Sequence, residues 1–158
     1  MSASRVHING RAIGILSAML GTVAVFCVFT AWVTIDPEGV TYTGWEIFRK
    51  GSAGFYEHDV PIYIMICGVA AAFLGISESL SKGPGRILGL LVITCGAVIM
   101  ISPSVFYYDN FVRDLMYQWD WTKIVDTYEA RSGIIITEIT GIALAVLGAV
   151  QVQMHGKD

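Results

Sequence analysis

A chain of 158 residues has room for one domain and too little for a membrane part plus a separate catalytic module. Hydrophobic residues make up 54% and charged residues 15%, against about 25% charged in an ordinary soluble domain, so the chain lacks the polar surface that water demands. The formal net charge of -3 excludes a general nucleic-acid binder and a polybasic membrane-surface tail, which both need an excess of cations.

Four stretches with little or no charge organise the chain, at about 12–34, 60–76, 87–106 and 133–152. A helix needs about 20 mostly apolar residues to cross the hydrocarbon core, and the second stretch is at the short end of that range. Helices are required because lipid offers backbone N–H and C=O groups no partner. The first stretch follows Arg5 and Arg11 but exceeds the apolar length of a signal peptide and lacks a clean cleavage site, so it reads as a retained first span.

The loop after it, 35–59, begins as a hairpin. Trp32-Val33-Thr34-Ile35 is β-prone, and Asp36-Pro37-Glu38-Gly39 places Pro and Gly where a turn uses them. Val40-Thr41-Tyr42-Thr43 alternates as a strand, and Gly44-Trp45-Glu46-Ile47-Phe48 follows as its continuation. After the second span comes a short turn, Ser77 to Arg86, carrying Lys82 and Arg86 against Glu78. The loop 107–132 reads as a helix, because Tyr108, Phe111, Val112, Leu115, Met116 and Trp119 recur at three- and four-residue steps. That stripe suits either burial against its own chain or presentation to another protein.

Lys and Arg near the span ends place both termini in the cytoplasm, since the two long loops hold their cations diluted among acids. The aromatics are then one-sided: Trp32, Trp45, Trp119, Trp121 and every tyrosine fall on the outer half. Interfacial belts enrich Trp and Tyr at both surfaces, so a folded aromatic outer cap is expected instead. Trp45 and Trp119 are expected to bury against each other's segments and join the loops. Within the spans, Gly10, Gly14 and Ala18, Ala71 and Gly75, and Gly141, Ala145 and Ala149 sit at helix-packing spacing. Cys27, Cys67 and Cys95 lie in apolar runs with no metal-like spacing and read as small buried residues. The fold class is an all-α membrane protein: one domain over residues 1–158, an antiparallel four-helix bundle with a small extracytoplasmic β-hairpin and helix cap.

A first helix ending in Trp32, a β-structured outer loop with Gly44-Trp45 and a second outer loop before the last span resemble the claudin and peripheral-myelin-protein-like tetraspan plan. Tyr128 and the Gly133 to Gly148 run are similar to the start of a claudin last span. Claudins follow their Gly-Leu-Trp motif with two loop cysteines; this loop has none, so a disulfide-braced loop and tight-junction assembly do not carry over. The plan is also similar to that of small four-span prokaryotic proteins with a Gly-Trp outer loop.

Candidate chemistry is sparse. Glu138 reads as the only ionisable residue well inside a span, and a charged side chain in hydrocarbon is costly and a default functional candidate. It serves either as a structural hydrogen-bonding group or as the proton or ion site of a small transporter or channel subunit. Glu57-His58-Asp59 offers metal-ligand chemistry, but adjacent loop residues seldom converge, and no metal site is expected. The spans hold no histidine for haem, no nucleotide or hydrolase motif occurs, and no cofactor or catalytic set is expected. The residues expected to make contacts are Trp32, Trp45, Phe48, Phe111, Leu115, Trp119 and Trp121. Their partners would be other membrane proteins or further copies of the chain in the bilayer, with no nucleic acid. The chain thus reads as a non-enzymatic, multi-pass cell-membrane protein, self-assembling or an accessory subunit.

Overall fold

The computed structural model describes residues 10–35, 39–51, 55, 57–80, 85–112 and 128–155. In chain order the elements are α1 (Gly10–Cys27), β1 (Ala31–Ile35), β2 (Val40–Thr43), α2 (Gly44–Lys50), α3 (Val60–Leu80), α4 (Gly85–Tyr107), a π-helical turn (Tyr108–Val112), β3 (Tyr128–Ala130) and α5 (Ser132–His155). Helices α1, α3, α4 and α5 are long and apolar enough to cross a membrane.

These helices pack as two close pairs, α1 with α3 and α4 with α5, and α3–α4 and α1–α5 contacts join the pairs into a bundle. Glycine makes the close approach possible. A Cβ on Gly14 would lie 2.6 Å from the Gly75 carbonyl oxygen, and one on Gly21 2.5 Å from that of Gly68. The second pair repeats the device: a Cβ on Gly96 would lie 2.7 Å from the Gly141 oxygen, and one on Gly148 2.6 Å from that of Gly89. Within each helix the two glycines are seven residues apart, two helical turns, so they share one stripe. The reversed order of partners makes both pairs antiparallel. Small stripes of this kind let backbones meet where lipid removes the hydrophobic drive for helix association. Of the residues expected at helix contacts, Gly14, Ala18, Ala71, Gly75, Gly141 and Ala145 stand at these crossings. The hydroxyls of Thr22, Thr94, Thr137 and Thr140 bond carbonyls one turn back on their own helices, which satisfies them inside apolar surroundings.

The first span is shorter than expected and the second longer. α1 stops at Cys27, whose carbonyl oxygen accepts the Trp32 indole N–H at 2.8 Å and the Thr30 hydroxyl at 2.7 Å. These bonds satisfy a helix-end carbonyl and turn the chain into β1, so the residues after Cys27 leave the helix. α3 continues through Ser77, Glu78 and Ser79 to Leu80. Glu78, expected in the inner turn, is therefore helical and only 7% exposed. Its Oε2 has no hydrogen-bond partner among the described residues. Glu78 thus joins Glu138 as an ionisable residue within a long apolar helix, but near the helix end.

Above the bundle, β1 and β2 form the expected antiparallel hairpin, with Val33 opposite Tyr42, Thr34 opposite Thr41 and Ile35 opposite Val40. Gly39 closes the turn at φ +63, a backbone conformation that glycine adopts without a Cβ penalty. The segment from Gly44 is a correction: it is the helix α2, not an extension of the strand. Thr43 caps it, its hydroxyl accepting the Glu46 N–H while the Glu46 carboxylate accepts the Thr43 N–H, a reciprocal capping box. A third strand, β3, joins β1 from the other outer loop, pairing Val33 with Ala130, Thr34 with Glu129 and Ile35 with Tyr128. The sheet order is β2-β1-β3. The stripe expected to be helical begins as a π-helical turn that prolongs α4; its later residues lie outside the described ones.

Candidate functional site

The cap formed by the sheet and α2 is built around Trp32, which has no solvent exposure. Its ring meets Phe106 of α4 edge-on at 5.9 Å between centroids. Two glycines admit it: a Cβ on Gly44 would lie 2.8 Å from Trp32 Cε2, and one on Gly133 2.7 Å from Cδ1. One indole is therefore clamped between the first residue of α2 and the second of α5. Val28, Val33, Ile47 and Phe55 are buried in the same core. Trp32, read from sequence as a contact residue, presents no surface.

Trp45 and Phe48 stand differently. Both are half-buried on α2, and Trp45 is anchored by its backbone N–H, which donates to the Val28 carbonyl oxygen at 2.8 Å. The Trp45 ring lies 5.7 Å from Phe29, in the turn that follows α1, and 5.6 Å from Phe48. Phe29 is 50% exposed. The three rings form an aromatic patch on the side of the molecule, where the bundle passes into the cap. On the exposed side of α2 lie Glu46, Arg49 and Lys50, and Lys50 Nζ donates to the Tyr42 hydroxyl at 2.9 Å.

Strand pairing joins the two outer loops, and Arg131 reinforces it. Its backbone N–H donates to the Trp32 carbonyl oxygen at 2.9 Å and its Nε to Thr34 Oγ1 at 2.7 Å, while its guanidinium pairs with Glu129 at 2.9 Å. Backbone pairing of β1 with β3 thus links the two loops, while the contact expected between Trp45 and Trp119 involves a residue outside the described ones. Phe111 lies in the π-helical turn, and Leu115, Trp119 and Trp121 lie outside the described residues. The sequence signal for α2 was present in Thr43-x-x-Glu46. The strand from Tyr128 to Ala130 is three residues long and carries no comparable signal.

Glu138 lies six residues into α5, about 9 Å along the helix axis from its start. The Ser104 hydroxyl of α4 donates to its Oε1, so the carboxyl meets a hydroxyl across the helix pair. Of the metal candidates, His58 Nε2 stands 3.4 Å from Asp59 Oδ1, and Glu57 adopts a positive φ of 51. Among the described residues no group of three or more His, Cys, Asp or Glu side chains converges to hold a metal. No protein-family model, curated protein or solved structure matches this chain.

Proposed function

We propose that this is a non-enzymatic multi-pass membrane protein whose outer cap makes lateral protein contacts, either with further copies of itself or as an accessory subunit of a membrane complex. The supporting observation is the union of both outer loops in one sheet centred on β1. Four spans need no such platform to stay inserted, because lipid holds them. A joined cap instead holds a surface in fixed geometry, and the patch of Phe29, Trp45 and Phe48 lies on that surface. Aromatic residues at the margin of a rigid unit offer large contact area at low entropy cost. In this reading both termini face the cytoplasm and the cap faces outward.

The test pairs gentle purification with substitution. Wild-type protein should come from its native membrane with a stoichiometric partner or as an oligomer. Trp45→Ala combined with Phe48→Ala should lose that association while the outer face keeps its resistance to protease, since Trp32 and the sheet remain. Association at wild-type strength in the double variant would remove the patch from the interface. Orientation is checked with single cysteines read by an impermeant reagent on intact cells. Positions Ser52 and Thr122 should label and Ser81 should not.

A further inference from the structure

A cavity of about 360 Å³ opens between the outer ends of α4 and α5. Ser104 and Glu138 line the end deeper along the helices, where Ser104 is exposed and Glu138 half-buried, Ala130 of β3 lies toward the cap, and Tyr108, Ile134 and Ile135 line the rest. The rim is open, with Tyr108 46% and Ile135 50% exposed. A carboxylate has about four acceptor sites, and the Ser104 hydroxyl occupies one of them. The nearest cation in sequence, Arg131, is engaged by Glu129 and Thr34. The deeper end is therefore rich in acceptors, and its complement is a donor with positive charge. A phenol ring at the rim adds a face that attracts cations.

Depth and lining narrow the source. α5 has 24 residues, about 36 Å at helical rise, which overhangs a hydrocarbon core of about 30 Å. Glu138 then lies about 6 Å below the outer hydrocarbon boundary, within reach of a headgroup that dips toward it. Apolar sides leading outward from a polar floor suit a molecule with acyl chains beside a charged head. The geometry points to a binding site for the primary ammonium headgroup of an outer-leaflet phospholipid, held by Glu138 and Ser104. A quaternary ammonium carries the same charge but no N–H, so it loses the hydrogen bonds that the floor accepts.

The experiment is native mass spectrometry of the protein released from bilayers containing equal parts of phosphatidylethanolamine, phosphatidylcholine and phosphatidylglycerol with matched chains. Wild-type protein should retain phosphatidylethanolamine about tenfold over phosphatidylcholine, the scale of one hydrogen bond to a charged group. Glu138→Gln should remove the preference and Ser104→Ala weaken it, with helical circular dichroism unchanged in both. Trp45→Ala, remote from the cavity, should keep it, which separates this inference from the role of the aromatic patch. Equal retention of the two lipids by wild type, or a preference that survives Glu138→Gln, overturns the assignment. So does displacement of the lipid by soluble ethanolamine, which would make the ligand a free amine. Retention of a polypeptide in place of lipid, lost in Glu138→Gln, would give the groove to a partner helix and overturn it equally.

Discussion

The bundle and the cap solve the same problem, holding two segments together, with opposite materials. In the bundle, backbone meets backbone: Gly14 against Gly75 and Gly96 against Gly141, with no side chain between them. In the cap, strand pairing joins the loops and one large side chain fills the space beneath, since Trp32 sits between Gly44, Gly133 and Phe106. On the proposed membrane placement, lipid explains the difference. Inside it, burying an apolar side chain gains little over leaving it in contact with acyl chains, so close backbone approach is what remains. Outside it, water restores the hydrophobic drive and a buried indole becomes the strongest single tie.

The sharpest way to break the comparison is Trp32→Ala. Truncating a buried aromatic costs about 3–5 kcal/mol, more than a hundredfold in the opening equilibrium of whatever it holds closed. The expected result is rapid protease cleavage of the outer loops with the four spans still inserted and helical. If the spans lose their helical order in parallel, cap and bundle are one cooperative unit and the division drawn between them fails. Gly141→Ala is the counterpart in the bundle. A Cβ there would lie 2.8 Å from the Gly96 carbonyl oxygen, and both helices must move to admit it. Overpacking of this kind costs about 1–3 kcal/mol, partly offset by the ~1 kcal/mol advantage of Ala over Gly in a helix. Thermal unfolding in detergent should fall, while outer-loop proteolysis stays near wild type.

The two regions also differed in how far the sequence revealed them. The spans are legible because an apolar run of bilayer length has few other uses, and the small-residue runs at four-residue steps include Gly14, Gly75 and Gly141 of the glycine stripes. Gly21, Gly68, Gly89, Gly96 and Gly148 lie outside those runs, because the stripes repeat at seven residues. In the cap, the β1–β2 turn was readable from Pro37 and Gly39. The stretch from Gly44 resembles strand when the alternation before it is continued past Thr43, although the capping pair Thr43 and Glu46 marks a helix start. β3 was invisible, since three residues gain their conformation from pairing with β1 and not from their own propensity. Trp32 and Glu78 share a different difficulty: residue type alone does not say whether a side chain at a span end points inward. Burial at both positions is set by neighbours that come from other helices.

Smaller changes sharpen the account of the cap. Thr43→Ala removes the hydroxyl that accepts the Glu46 N–H at 3.2 Å, and loss of such an N-cap costs about 0.5–2 kcal/mol. Because Ile47 is buried in the cap core and Trp45 and Phe48 lie on the same helix, fraying of α2 should disturb the aromatic patch first. Trp45 fluorescence should lose its wild-type environment, and cleavage should rise near α2 but not near β3. An unchanged α2 would mean that the packing of Ile47 holds the helix without its cap.

The weakest expected effect is a dependence on pH carried by Glu46. Its carboxylate accepts the Thr43 backbone N–H at 2.8 Å and the Thr43 hydroxyl at 3.0 Å. Those bonds hold its pKa below the usual carboxylate range, the backbone bond contributing most, with Lys50 and Arg49 adding a smaller attraction. A pKa lower in the folded than in the unfolded state means that the folded state holds its proton less tightly. The contribution to stability is then complete above the unfolded carboxylate value of about 4.3 and is lost as pH falls through the lower folded value. Glu46 is exposed, so solvent keeps the effect small and confined to α2. Other acids titrate in the same range, and the comparison must therefore be between wild type and Glu46→Gln, which shares them all. Wild type should be the more stable above about pH 4.3, with the difference shrinking steadily as pH is lowered below it. A difference that stays constant through that window would mean that Glu46 does not make the capping bonds, and the start of α2 would then rest on Thr43 alone.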